Sequence, residues 1–503
     1  MFETAELGRK LSKKEHEQAV PELRTELLRL QNELAATAPF SVVVVIAGVD
    51  GAGKGDTVNV LHEWMDPRYL EAHAFGAASD EEAERPPMWR FWRVLPPKGR
   101  IGIFFGSWYT KPILDRAYGA TGDARLEAEL TRINLFEKGL HDDGTLVVKY
   151  WFHLSKKAQK KRLKTLSKDP RQSWRVTEQD WKHFELYDTF IPICERAIRE
   201  TSTGEAPWTI VEGSDRRYRE VTVAGHLRDA LADRLEHTPP SRRRRRPKRR
   251  TGNHKPTILS NLDLDQRLAP ATYKRRVARS QADLNLLSRK AANRGTTMLA
   301  VFEGADAAGK GGAIRRITRA LDARYYKVVP IAAPTDEEAA RHYLWRFWRH
   351  LPRAGRMLIF DRSWYGRVLV ERVEGFAGED EWRRAYREIN EFEEELVEFG
   401  VGVVKFWLHI DQDEQLARFK AREQTPYKQF KITEEDYRNR DKWELYEEAV
   451  NEMVERTSTS HAPWTLIEAN DKYFARVKVL QTIAGALERQ IKRDRKGKRR
   501  RNV

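Results

Sequence analysis

One cysteine, Cys194, is all that the 503 residues contain. An intramolecular disulfide framework is therefore excluded, and a reducing compartment is the natural setting, with the thiol packed rather than nucleophilic. Long apolar runs are missing as well, none approaching the roughly 20 residues of a membrane span. The stretch from Met1 to Lys14 lacks the apolar core of a secretory signal. A soluble, cytoplasmic protein with no membrane partner is the expectation. Bulk positive charge is scarcer than it first looks. The net charge is +17, but the runs 242–250 and 492–501 carry fifteen of those charges and leave the rest of the chain near neutral. Nucleic acid is thus not the expected partner, and any anion-binding groove must arise from local arrangement.

What the chain does have is a copy of itself. A constant offset of 256 residues maps Asp50 onto Asp306, Lys54 onto Lys310, Trp89-Arg90-Phe91-Trp92-Arg93 onto 345–349, Ser107-Trp108-Tyr109 onto 363–365, and Ala206-Pro207-Trp208-Thr209 onto 462–465. No insertion is needed between these anchors, so the repeat is a duplicated domain rather than a short-period solenoid. The expected organisation is a first domain over 1–236, a basic linker over 237–257, a second domain over 258–491 and a disordered basic tail over 492–503. Nothing in the sequence sets the oligomeric state, and a homo-oligomer is compatible with it.

Each copy carries a glycine-rich turn after an apolar run. In the second, Thr296 to Val301 reads as a buried strand, Phe302 to Gly312 as the turn, and Ile314 onward as a helix. Strand, glycine-rich turn and helix make a phosphate loop: backbone N–H groups and the helix N-terminus face an anion, and a lysine supplies a mobile charge. Gly304, Gly309 and Lys310 fit G-x-x-x-x-G-K, but Gly311 stands where such loops have Ser or Thr to hold magnesium. Asp306, inside the loop, is the natural replacement ligand, since Mg²⁺ takes oxygen donors.

Short apolar strands at 298–303, 328–332, 357–360, 403–410 and 464–468 alternate with helices at 273–292, from the loop to about 322, 336–349, 382–399 and 412–456. This pattern predicts an α/β fold in each copy, a mostly parallel five-stranded sheet covered on both faces. Ligands then belong outside the carboxyl ends of the strands. Asp306, Asp361 with Arg362, Asp411, and Asn470 with Asp471 all fall there. Asp361 is placed to reach loop-bound metal or an attacking hydroxyl, and Arg362 to stabilise charge. Positioning, metal and cations are what phosphoryl transfer requires of a protein. Arg418, Arg422, Lys428 and Lys431, with Pro426 between them, have two readings: solvated bases on an amphipathic surface helix, the commoner case for such spacing taken by itself, or a lid closing on phosphates. The first copy differs at the decisive positions: Phe105 replaces Asp361, Gly106 replaces Arg362 and Leu166 replaces Arg422. A phenyl ring can neither bind metal nor accept a proton, so the first copy is expected to fold alike without catalysing.

These residues resemble those of the polyphosphate kinase 2 family, itself similar to thymidylate kinase in its P-loop core. The resemblance rests on Gly304-Ala-Asp306-Ala-Ala-Gly309-Lys310-Gly311, on Asp361-Arg362-Ser363-Trp364-Tyr365, and on the stretch from Arg422 to Lys431 with Thr433 and Asp436 behind it. It covers nearly all of each half. The tandem form with a degenerate first copy is similar to the members that act on AMP, whereas single-domain members tend to favour nucleoside diphosphates. The resemblance implies Mg²⁺-dependent transfer of a terminal phosphoryl group from inorganic polyphosphate to AMP, giving ADP. It implies that Gly304 to Gly311 cradle phosphate, that Asp306 and Asp361 serve metal or acceptor activation, and that Arg362, Arg422, Lys428 and Lys431 grip phosphate. Two other readings remain: polyphosphate-dependent phosphorylation of nucleoside diphosphates, and an ATP-dependent nucleotide kinase. A nucleic-acid-binding NTPase is the rival from another class, resting on the two arginine tracts.

Overall fold

The computed structural model describes residues 1–237, 257–426, 429 and 434–501. It forms two compact units: Met1–Ser79, Pro87–Pro240 and Thr335–Trp345 make up one, and Asp80–Pro86, Ser241–Pro334 and Arg346–Val503 the other.

In the first unit, strands β1 (Val42–Gly48), β2 (Leu70–Ala74), β3 (Ile101–Phe105), β4 (Leu146–His153) and β5 (Trp208–Glu212) build a five-stranded sheet in the order β2-β3-β1-β4-β5. In the second, β6 (Met298–Gly304), β7 (Tyr326–Pro330), β8 (Met357–Asp361), β9 (Gly402–His409) and β10 (Trp464–Glu468) repeat it as β7-β8-β6-β9-β10. Every neighbouring pair is parallel, so both sheets are wholly rather than mostly parallel. Parallel strands need crossover connections, and helices supply them. β6 sits at the switch in strand order, with β8 on one side and β9 on the other, where a crevice opens beyond the strand ends. Its side chains from Met298 to Phe302 are buried on both faces, as the unbroken apolar run requires.

Two helices back the second sheet. Pro270–Arg294 starts with proline in its first turn and stops at Gly295, held left-handed at φ 72. Leu284 from this helix joins Met298, Ala300 and Phe302 of β6 and Leu480, Ile483 and Leu487 of the last helix in one core cluster. That last helix, Lys472–Arg501, corrects the disordered tail expected from 492: it runs on through the basic segment. Lys and Arg are good helix formers, and a helix already anchored by its apolar face propagates without a new nucleus. The helix expected over 336–349 is instead two short pieces, Asp336–Ala339 and Trp345–Trp348. Between them the His342 ring accepts the Leu344 N–H at 3.2 Å and so diverts a helical donor. Among the described residues no helix is long and apolar enough to cross a membrane. The linker expected over 237–257 lies outside the described residues, except for its two ends.

Candidate active site

The loop of the second unit closes as its glycines demand. Gly304 adopts φ 155, and a Cβ there would stand 2.5 Å from the Leu408 carbonyl oxygen of β9. Gly309 adopts φ 107 and caps the helix Lys310–Thr318. Gly311 is different: a Cβ there would meet nothing within 4 Å, so the missing Ser or Thr is not a steric necessity. Lys310 curls back over the loop, its Nζ donating to Gly304 O at 2.6 Å and Ala305 O at 3.3 Å. Burial pushes its ammonium pKa down, and the nearby Asp306 carboxylate opposes that.

Asp306 is the hub of the side-chain contacts. Its carboxylate accepts from Arg362 at 3.3 Å and from Asn439 Nδ2 at 3.0 Å, and its carbonyl accepts from Gln415 at 3.2 Å. Asp361 ends β8 in register with Phe302 of β6, which sets it beside the loop, and its charge is felt by both Lys310 and Glu303. Arg362 follows at φ 64, left-handed, with its N–H on Phe302 O at 3.0 Å. The matching residue of the first copy is Gly106 at φ 73, so the backbone shape is common to both copies and only the second places an arginine in it.

Arg418 is not a lid cation. It is 5% exposed and donates to Ala307 O, Ala308 O, Ala469 O and Asn470 O, and to the Glu414 carboxylate. A guanidinium with its donors committed to four backbone carbonyls braces the loop and grips no ligand. Arg422, one turn on, is half-buried at the end of Gln412–Glu423. Lys428, Lys431 and Thr433 lie outside the described residues, as does the side chain of Asp436. Asp411 and Asp471 do stand at the carboxyl edge, but as helix caps accepting from Glu414 N at 2.7 Å and Phe474 N at 2.7 Å.

Beside the loop opens a pocket of about 810 Å³, counting the space open to solvent. Glu303, Gly304, Asp306 and Arg362 supply polar lining, and Leu369, Val370, Trp407, Trp443, Tyr446 and Val450 apolar and aromatic lining. Gly309, Lys310, Gly311, Asp361 and Arg422 are not among its lining residues. His409, also in the wall, has its pKa pushed down to about 4 by burial, with Asp411 opposing. It is therefore a neutral ring near pH 7 and no phosphate cation. Glu303, Asn439 and the aromatic wall escaped the sequence reading. Only Glu303 left a signal, a charged residue inside an apolar strand where the first copy has Ala47.

Among the described residues no three His, Cys, Asp or Glu side chains are grouped to hold a metal. Mg²⁺ does not require such a cage, since it usually takes one or two carboxylates and completes its shell with water and substrate phosphate. Asp306 and Asp361 beside the glycine-rich loop fit that donor set.

The first copy's loop is turned inward. Lys54 Nζ donates to Gly48 O at 2.5 Å and to Asp50 at 3.2 Å, and His183 meets the other Asp50 oxygen at 2.8 Å. Burial works against ionising Asp50, yet Lys54 and His183 together hold its pKa below the ordinary carboxylate range. Arg175 pairs with Asp56 at 2.6 Å, where the second copy has Gly312. Leu166, at the place of Arg422, is buried.

Comparison with known proteins follows this division. The model of the family described as polyphosphate kinase 2 matches residues 10–239 and again 267–495. The chain is 54% identical over 498 residues to a polyphosphate:AMP phosphotransferase of Pseudomonas aeruginosa, covering 98% of this chain and 100% of that one. It is 39% identical to one of Acinetobacter johnsonii, covering 90% and 92%. A crystal structure from Pseudomonas aeruginosa, described as polyphosphate kinase 2, superposes with a TM-score of 0.88 at 52% identity over 98% of this chain and 100% of that one.

Proposed function

The chain belongs to the polyphosphate kinase 2 family, and from that premise we propose that it transfers the terminal phosphoryl group of inorganic polyphosphate to AMP, giving ADP. The observation that carries this reading is the union of a phosphate loop with an apolar pocket. The pocket lining combines Gly304, Asp306 and Arg362 with the rings of Trp407, Trp443 and Tyr446, which suit a nucleoside. In the transfer an oxygen of the AMP phosphate forms a bond to the terminal phosphorus, and the bond from that phosphorus to the chain oxygen breaks. Loop N–H groups from Gly304 to Gly311 hold phosphate oxygens, and Lys310 leaves its carbonyl partners to meet them. Arg362 offsets charge on the phosphoryl in flight. Arg422, Lys428 and Lys431 grip the polyphosphate. Asp306 and Asp361 would hold Mg²⁺, which supplies charge neutralisation at the phosphate oxygens. The catalytic domain is 258–491; the domain 1–236 binds or packs without catalysing, and the setting is the cytoplasm.

The test is ADP formation from AMP and polyphosphate, with AMP replaced in turn by GMP and ADP and with Mg²⁺ removed by chelation. AMP should be the best acceptor, and chelation should abolish turnover. ADP as the preferred acceptor would replace the reading with polyphosphate-driven ATP synthesis.

A further inference from the structure

Glu303 lies just before the loop at the end of β6, 5% exposed in the pocket wall, and no step above uses it. Its carboxyl group accepts from Ser363 Oγ at 2.7 Å. Ser363 Oγ in turn accepts the Tyr365 N–H at 3.3 Å. One hydroxyl therefore ties β6 to the turn that leaves β8. That turn carries Asp361 and Arg362, and Arg362 sits at φ 64. A left-handed non-glycine residue is strained and persists only where its surroundings over-determine it.

The first copy separates the parts of this arrangement. Ser107 remains, accepting the Tyr109 N–H at 3.4 Å, so the serine bond within the turn belongs to the fold. The carboxyl group is gone, replaced by Ala47, and the strained arginine is gone, replaced by Gly106. Acid and strained arginine are present together and absent together. With glycine in the turn there is no strain to hold and no guanidinium to aim.

We infer that Glu303 is a positioning residue: by accepting from Ser363 it fixes the β8 turn and so sets Asp361 and Arg362 against the phosphate loop. The inference rests on the reading of this site as the place of phosphoryl transfer. What the latch requires is an acceptor oxygen for the Ser363 hydroxyl, which an amide supplies as well as a carboxyl group. A charge role toward Lys310 would not survive that exchange.

The experiment compares Glu303→Ala, Glu303→Gln, Ser363→Ala and the Glu303→Ala/Ser363→Ala double variant in the full chain, with polyphosphate and with ATP as donor. Misaligned reacting groups cost on the order of 100-fold, so kcat should fall about 10- to 100-fold in Glu303→Ala and in Ser363→Ala. KM for donor and AMP should stay within about threefold, and the double variant should be no worse than either single one. Glu303→Gln should stay within about threefold of the wild type. An unchanged kcat in Ser363→Ala, a Gln variant as impaired as Ala, a loss confined to KM, or additive losses would each overturn the latch. Ser363→Ala removes one oxygen and guards against a Glu303→Ala chain that fails to fold. A wild type active with ATP alone would sink the choice of donor, while the variant-to-wild-type ratio would still judge the latch.

Discussion

Arg362 is where backbone and chemistry conflict most openly. Its φ of 64 is the conformation that Gly106 adopts freely in the first copy, and its side chain, 45% exposed, meets Asp306 at 3.3 Å. An ion pair that exposed contributes little to stability, which fits the role proposed for Arg362 in the transfer. Arg362→Gly should therefore leave the melting temperature unchanged or raised while turnover falls about 100- to 1000-fold. A calorimetric scan beside a rate measurement decides it, and a destabilised but active variant would contradict the role. Arg418 and Arg422 make a second pair of opposites. Arg418→Ala strands four backbone carbonyls, three of them in buried bonds, and should cost roughly 3 kcal/mol of stability. Arg422→Ala should shift stability by less than about 0.5 kcal/mol and raise KM for polyphosphate. Denaturant titration and steady-state kinetics separate the two. From the sequence the two arginines looked alike, four residues apart on one helical face. Spacing identifies a shared face and cannot say whether that face looks into the loop or out to solvent.

At the scale of elements, the helix Glu379–Phe399 backs the β8 turn through buried polar bonds. Glu393 accepts from Trp364 Nε1 at 3.1 Å, from Tyr365 Oη at 2.7 Å and from Lys405 Nζ at 2.7 Å. The first copy repeats the group with Glu137, Trp108, Tyr109 and Lys149. Its presence in both copies marks it as part of the fold. The same helix carries Glu391, whose pKa burial raises from 4.5 to about 7, with Glu388 and Glu394 adding and Arg387 opposing. The folded state then binds more protons than the unfolded one between those values. Stability from this group is fully present below about pH 4.5 and lost as pH rises through 7. Glu391→Gln should thus stabilise the protein by about 1–2 kcal/mol at pH 8 and have little effect near pH 5, which paired melts at the two pH values would check. The elements themselves were largely legible: strands, loop and repeat follow from apolar runs, glycines and one constant offset. The apolar pocket wall was not, because Trp407, Trp443 and Tyr446 come from a strand and a helix that only the crossover connection brings together. The Glu303–Ser363 bond was hidden for the same reason, its partners being 60 residues apart.

For the whole molecule, the proposed function implies that two copies of one fold share a single working site. In the first copy Lys54 and His183 occupy Asp50, Asp56 in the helix after the loop pairs with Arg175, and Phe105 stands in place of the second carboxylate. Lys54→Ala should accordingly keep turnover near that of the wild type, whereas Lys310→Ala should abolish it, and equal losses would show two cooperating sites. The most direct measurement is ADP formation from AMP, Mg²⁺ and polyphosphate in the absence of ATP, with Asp361→Ala run beside the wild type. The wild type should form ADP, and the variant should lose at least about 100-fold in rate. ADP formed equally by both would contradict the placement of the reaction in the second copy, and turnover with ATP alone would contradict the donor.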